Sequence, residues 1–218
     1  MAAESADRNG TEGSGHYFDS APRSASRPSE VRLRLPEGTF TLVTDRGVFS
    51  SERIDPGTRA LLDKTSPLTG GTGDLPAGDL VDVGAGYGPI AVALAARFPD
   101  RHIWAVEPNE RARELARMNL RNNCPGAAFD VVAPGEVPDD LRVAALYSNP
   151  PIRIGKLALQ ALLSEWLDRL VPDGHAMLVV QRHLGADSLA RWLGSRGRSV
   201  KRVASRKGYR ILEVRNGP

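Results

Sequence analysis

The sequence predicts an α/β fold: a mostly parallel seven-stranded sheet ending in an antiparallel edge hairpin, preceded by a separate N-terminal β-hairpin. Three observations predict it. From Leu80 onward, short apolar runs alternate with stretches of helical periodicity, the pattern of a parallel sheet joined by crossover helices. Between the first run and the first helix lies Gly84-Ala85-Gly86-Tyr87-Gly88, a turn tight enough to need glycine. The last two runs are separated only by the turn around Lys207-Gly208, so a hairpin must join them.

The elements follow in order. Residues 1–30 are rich in Ser, Gly, Ala, Arg and Asp and nearly free of large apolar side chains, so they are expected to form a disordered tail. His16-Tyr17-Phe18 is the one aromatic segment there that could dock on the domain, which is expected to span residues 31–218. Val31 to Leu35 alternates with period two, Pro36-Glu37-Gly38 turns, and Thr39 to Val43 completes the hairpin. Asp55-Pro56-Gly57-Thr58 reads as a helix start before Arg59 to Leu62.

Leu80 to Val83 is then the first sheet strand, and Pro89 to Arg97 the first crossover helix, with proline in the first turn where its missing N–H costs nothing. His102 to Val106 is the second strand. Asn109 caps a helix running to about Asn122. Ala128 to Val132 and Val143 to Tyr147 are the third and fourth strands. Lys156 to Leu170 is an amphipathic helix whose stripe of Leu159, Leu162, Leu163, Trp166 and Leu170 faces the core. A turn at Pro172-Asp173-Gly174 leads to strand Ala176 to Val180, and a helix from Asp187 to about Ser195 leads to strands Ser199 to Ser205 and Tyr209 to Val214.

The 218 residues, 41% of them apolar, suit one domain with one sizeable core. No run of 18 apolar residues predicts a membrane span. The N-terminus has neither the basic nor the apolar region of a secretory signal. The lone cysteine, Cys124, cannot form an internal disulfide, and its setting in Asn122-Asn123-Cys124-Pro125-Gly126 is that of a loop residue. A cytoplasmic location is expected. His16, His102, His175 and His183 lack metal-ligand spacing, so no metal is expected. Net charge is only +3, but from Arg182 onward cations outnumber carboxylates, with Asp187 and Glu213 alone opposing them. That excess could meet phosphates or be a solvated surface. Nothing in the sequence sets an oligomeric state.

In such a sheet, ligands sit beyond the carboxyl ends of the strands. Three strand ends carry chemistry. The first is Asp82-Val83-Gly84-Ala85-Gly86-Tyr87-Gly88-Pro89. Its glycines let the backbone approach a ligand and lead into a helix N-terminus that favours negative charge. In a nucleotide enzyme that charge is a pyrophosphate. In an enzyme using S-adenosylmethionine (SAM) it is the methionine carboxylate, with Asp82 available for the amino group. The Gly-x-Gly-x-Gly spacing lacks one residue of the dinucleotide fingerprint.

The second strand end is Glu107-Pro108, where a carboxylate can accept bonds from both ribose hydroxyls of SAM or of a nicotinamide cofactor. The third is Ser148-Asn149-Pro150-Pro151-Ile152. Two prolines stiffen the backbone, and the Asn149 side-chain oxygen and the Pro150 carbonyl can both accept from a planar –NH2 group. Held so, its nitrogen lone pair is aimed at a methyl donor, and positioning with electrostatics does most of the work.

With these residues in place, the sequence resembles the methyltransferase small domain family, which includes the catalytic half of ribosomal RNA small subunit methyltransferase C. The likeness rests on His16-Tyr17-Phe18, Thr44 to Ser50, Asp55-x-Gly57-Thr58, Asp82-x-Gly84-x-Gly86-x-Gly88, Ser148 to Arg153 and Gly208-Tyr209-Arg210, in family order. The resemblance implies a Rossmann-like class I methyltransferase fold, SAM as cofactor, and guanine N2 of small-subunit ribosomal RNA as acceptor. By it, Asp82, Gly84, Ala85, Gly86, Gly88, Glu107, Pro108 and Asn149 bind the cofactor, and Asn149, Pro150, Pro151 and Ile152 form the catalytic segment. It also implies that Gly47-Val48-Phe49 and Thr58 lie near cofactor or substrate.

Three departures stand out. Ile152 occupies a position where many relatives carry an aromatic residue. Ala133-Pro134-Gly135-Glu136 follows the third strand, where relatives often have a carboxylate for the adenine amino group, and Glu136 is the substitute on offer. The chain holds one catalytic copy. The same chemistry on adenine N6, a protein glutamine or a small molecule stays open. A non-catalytic RNA-binding module is the alternative of another class. A nicotinamide oxidoreductase is disfavoured by the glycine spacing and by the lack of a Tyr/Lys or His arrangement suited to it.

Overall fold

The computed structural model describes residues 25–69 and 75–217. The proposed docking of His16-Tyr17-Phe18 therefore lies outside the described residues. The N-terminal hairpin pairs β1 (Ser29–Leu35) with β2 (Gly38–Thr44), turning on Pro36 and Glu37 between the partners Leu35 and Gly38. Its alternation is realised as expected: Val31, Leu33, Leu35, Phe40 and Leu42 face inward while Arg32 and Arg34 face solvent. Arg27, within the expected tail, already donates its backbone N–H to Asp45.

The main sheet contains β3 (Asp79–Val83), β4 (Ile103–Val106), β5 (Phe129–Val132), β6 (Val143–Ser148), β7 (Leu170–Gln181), β8 (Arg198–Arg206) and β9 (Tyr209–Asn216). Their spatial order is β5-β4-β3-β6-β7-β9-β8. The first five are parallel; β9 runs antiparallel between β7 and β8, which sets the hairpin at one edge. Lys207 and Gly208 both have positive φ (47° and 82°), the turn geometry that matches strand twist in a two-residue hairpin.

Helices α1 (Pro56–Lys64), α2 (Pro89–Arg97) and α3 (Glu110–Asn123), with the hairpin, cover one face of the sheet in one apolar cluster. Helices α4 (Lys156–Leu167) and α5 (Ala186–Ser195) cover the other in a second cluster. The α4 stripe of Leu159, Leu163 and Trp166 is buried. Leu170, however, begins β7 rather than ending that helix. The turn expected at Pro172-Asp173-Gly174 is instead an irregularity inside β7, between the pairs Val143–Leu170 and Ala145–His175. Gly174 is required there, because a Cβ would lie 2.9 Å from Val171 O and 3.0 Å from Ala144 O. No helix among the described residues is long and apolar enough to cross a membrane.

Candidate active site

Asp82 near the end of β3, Glu107 just past β4 and Asn149 just past β6 lie at the carboxyl ends of three adjacent interior strands, so the sheet order alone brings the three predicted motifs together. Hydrogen bonds tie them closer. Gly84 and Ala85 donate their N–H groups to Val106 O on β4, and Ser148 donates its hydroxyl to Val83 O at 2.6 Å.

The glycine turn runs at positive φ through Gly84, Gly86 and Gly88 (77°, 57° and 90°), a conformation only glycine adopts freely. Their neighbours explain them further. A Cβ on Gly88 would press to 3.2 Å against Ala116 of α3, whereas one on Gly86 would meet nothing within 4 Å. Gly88 thus serves helix packing, and Gly86 leaves its backbone open to a ligand. Ala85 is buried beside them.

Asp82 is fully buried; Oδ2 accepts the Ala91 N–H at 3.0 Å, from the first turn of α2, and Oδ1 has no partner among the described residues. Burial pushes its carboxyl well above the ordinary range, and the nearby Glu107 charge adds to the rise against the Ala91 hydrogen bond. Glu107 is 3% exposed. Its two oxygens accept from Gly86 N at 2.8 Å and Asn109 N at 2.9 Å. Burial raises its carboxyl too, opposed by those two bonds and the Arg113 charge. Arg113 donates to the carbonyls of Glu107 and Pro108, holding the bend after β4. These residues fit SAM: a buried carboxylate oxygen without a partner suits an ammonium group, the open Gly86 backbone suits close approach, and the Glu107 oxygens keep lone pairs for hydroxyls.

Asn149 is half-buried. Its Nδ2 donates to Asp55 Oδ1 at 2.8 Å and to Thr58 Oγ1 at 3.0 Å. Asp55, read from sequence as a helix start, is the N-cap of α1, with the same oxygen accepting from Gly57 N and Thr58 N. That it also grips Asn149 was not legible from the sequence. Pro150 O accepts the Ile152 N–H at 2.8 Å, and Pro151 at φ −72° and ψ 79° makes this an inverse γ-turn. One Pro150 lone pair stays available. Ile152 begins a short 3-10 turn (Ile152–Ile154) and packs partly into the second apolar cluster.

The flanking segments also converge. Tyr209 of β9 lies against Gly57, where a Cβ would come within 2.6 Å of its ring, and its hydroxyl accepts from Gln181 Nε2 at 2.8 Å. The buried Tyr87 reaches Ser50 O at 3.5 Å, and Phe49 beside it is 55% exposed. Glu136 follows β5, but its carboxylate accepts the Ala133 N–H of its own turn at 2.7 Å. The basic C-terminal stretch is divided by ion pairs: Arg198 with Asp168, Arg206 with Asp63, Arg210 with Asp187 and Arg215 with Glu213. Among the described residues no group of three or more His, Cys, Asp or Glu could hold a metal ion.

The family model described as the methyltransferase small domain matches residues 39–213. The uncharacterized protein YbxB of Bacillus subtilis is 32% identical over 92% of this chain and 98% of its own length. Ribosomal RNA small subunit methyltransferase C of Pseudomonas aeruginosa is 32% identical over 84% of this chain, but the match spans only 53% of that protein. Among solved structures, a 16S rRNA N2 methyltransferase of T. thermophilus in complex with AdoMet and guanosine superposes with a TM-score of 0.70. It covers 89% of this chain and 52% of its own, at 21% identity, a likeness of fold.

Proposed function

The chain belongs to the methyltransferase small domain family of SAM-dependent enzymes, and from that membership we propose that it methylates a planar exocyclic amino nitrogen, guanine N2 of small-subunit ribosomal RNA. The observation that carries the reading is the Asn149 amide, whose Nδ2 is occupied by Asp55 and Thr58. Its oxygen is thereby the end left to accept from an –NH2 group.

Bound SAM supplies an electrophilic methyl carbon on a sulfonium. The chain's own residues supply placement. Asp82 and the glycine turn hold the amino-acid end, and Glu107 holds the ribose. Asn149 Oδ1 and Pro150 O each accept one N–H of the acceptor, which turns its lone pair towards the methyl carbon. No strong base is needed, because the N–H becomes acidic once the nitrogen is alkylated and the proton passes to water.

The acceptor reading is supported by relatives named for methylation of small- and large-subunit ribosomal RNA, of whose length this chain spans about half. The base must leave its stack to reach Asn149, so loops or incompletely assembled RNA are the easier substrates. The test is incubation with radiolabelled SAM and ribosomal RNA. Wild type should label an RNase-sensitive, protease-resistant product, and Asn149→Ala should not. Protease-sensitive label would move the activity to a protein amide, and equal labelling by both proteins would end the reading.

A further inference from the structure

We propose that Asp55 and Thr58 are positioning residues for methyl transfer: they fix which end of the Asn149 amide faces the acceptor. This rests on the reading above that Asn149 binds the acceptor amino group.

The two ends of an asparagine amide are nearly the same size but opposite in role, the oxygen accepting and the nitrogen donating. Only the oxygen end can bind an –NH2 acceptor; the other end would set donors against donors. The two prolines after Asn149 stiffen its backbone but do not choose between these ends. Asp55 and Thr58 do. Each offers an oxygen to Nδ2, at 2.8 and 3.0 Å. Turning the amide over would put Oδ1 against the Asp55 carboxylate oxygen, two acceptors with no proton between them.

The anchor is itself held in place. The Asp55 oxygen that takes the Asn149 hydrogen also caps α1 through Gly57 N and Thr58 N, so it is fixed relative to that helix. Thr58 is 4% exposed, on the first turn of the same helix. The Tyr209 ring against Gly57 holds that turn beside the sheet. The helix start is therefore also the clamp for the amide.

Substitutions can separate the two jobs. Asp55→Ser keeps a good helix cap but replaces the charged acceptor for Asn149 with a shorter, neutral hydroxyl. Thr58→Val removes the second acceptor at nearly constant shape. Asp55→Asn keeps both a cap and an amide oxygen. Single-turnover methylation of ribosomal RNA, SAM affinity by calorimetry and Tm would be measured for each. We expect Asp55→Ser and Thr58→Val to slow transfer about 10- to 100-fold, the scale of a small misplacement of a reacting group, with SAM affinity and Tm close to wild type. Asp55→Asn should recover part of the rate.

The deciding arm uses Asn149→Asp. A carboxylate has no wrong end, but it sets a second negative charge against Asp55, which opposes ionisation of the pair. Asp55→Ser should therefore raise the rate in the Asn149→Asp background while lowering it in wild type. Loss by the same factor in both backgrounds, or an unchanged rate for Asp55→Ser in wild type, would overturn the inference. Wild-type rates for Asn149→Ala would instead remove the premise, so the two failures are distinguishable.

Discussion

Asn119 on α3 satisfies both backbone groups of Val43 on β2: its Oδ1 accepts the Val43 N–H at 2.7 Å, and its Nδ2 donates to Val43 O at 2.8 Å. The same Nδ2 donates to Tyr87 O in the glycine turn at 2.8 Å. One fully buried amide thus docks the N-terminal hairpin and steadies the ligand turn. Asn119→Ala strips partners from three backbone groups, each worth about 1–3 kcal/mol when left buried and unpaired. Water reaching half-buried Val43 softens the total, and we expect a loss on the order of 2–4 kcal/mol. Thermal unfolding should show Tm falling by about 5–15 °C at this chain length. SAM affinity should fall as well, through Tyr87. An unchanged Tm would contradict this role.

The second anchor of the hairpin is ionic. Arg97, at the end of α2 with a side chain fully buried, pairs with Glu37 in the hairpin turn at 2.8 Å and donates to Thr65 Oγ1 and Leu62 O. Burial alone would raise the Glu37 carboxyl. The Ser66 hydroxyl, its own backbone N–H and the Arg97 guanidinium outweigh that and lower it below its ordinary value of 4.5. A lowered carboxyl stabilises the fold above its unfolded pKa, and that contribution is lost as pH falls through the lower folded value. Glu37→Gln should therefore flatten the acid limb of a urea-midpoint profile below about pH 4.5. Arg97→Ala, which leaves Glu37 buried and uncompensated, should cost about 3–5 kcal/mol at neutral pH.

The sheet was readable because its signals are local. Period-two alternation marks β1, proline at the first turn marks α2, and Asn109 marks α3, where its side chain accepts the Ala112 N–H as a cap should. Element ends failed where a distant contact decides them. Leu170 fits the α4 periodicity, but pairing with Val143 on β6 takes it into β7. The candidate site was legible as three strand ends and, through the family resemblance, as a nearby Thr58, but the bond between Asp55 and Asn149 was not. Nothing near Asn149 in sequence points to Asp55, 94 residues away, and a cap signature at Asp55 is complete without a second partner. The basic C-terminal stretch was half legible: its composition shows Asp187 and Glu213, but not the carboxylates of Asp168 and Asp63 that meet Arg198 and Arg206 from outside it.

Two neighbouring buried carboxylates should give SAM binding a pH dependence. Asp82 and Glu107 are both pushed up by burial, Asp82 well above the ordinary carboxylate range. A cationic ligand favours their ionised forms. Affinity should therefore weaken as pH drops from neutral toward the raised Asp82 value, and binding near that value should release a proton. Calorimetry in two buffers of different ionisation enthalpy measures the release directly. Asp82→Asn should weaken binding about 10- to 100-fold, the scale of one charge-assisted hydrogen bond, and reduce the release. A pH-independent affinity would show that Asp82 does not face the ligand's charge.

Gly57 tests whether the start of α1 is built around its contacts or merely permits them. A Cβ there would lie 2.6 and 2.7 Å from two Tyr209 ring carbons and 2.9 Å from Asp55 Oδ1, the oxygen that Asn149 uses. Either the ring or the cap must give way. The ring can move only by straining its hydroxyl bond to Gln181. We expect Gly57→Ala to cost about 1–3 kcal/mol, as overpacking does, and to reduce turnover by more than the stability loss explains, because Asp55 is displaced with it. Adding Tyr209→Ala removes the main clash. The double variant should then be less destabilised than the sum of the two single variants, with turnover partly restored. Additive losses would mean that ring and helix start do not share this space in solution.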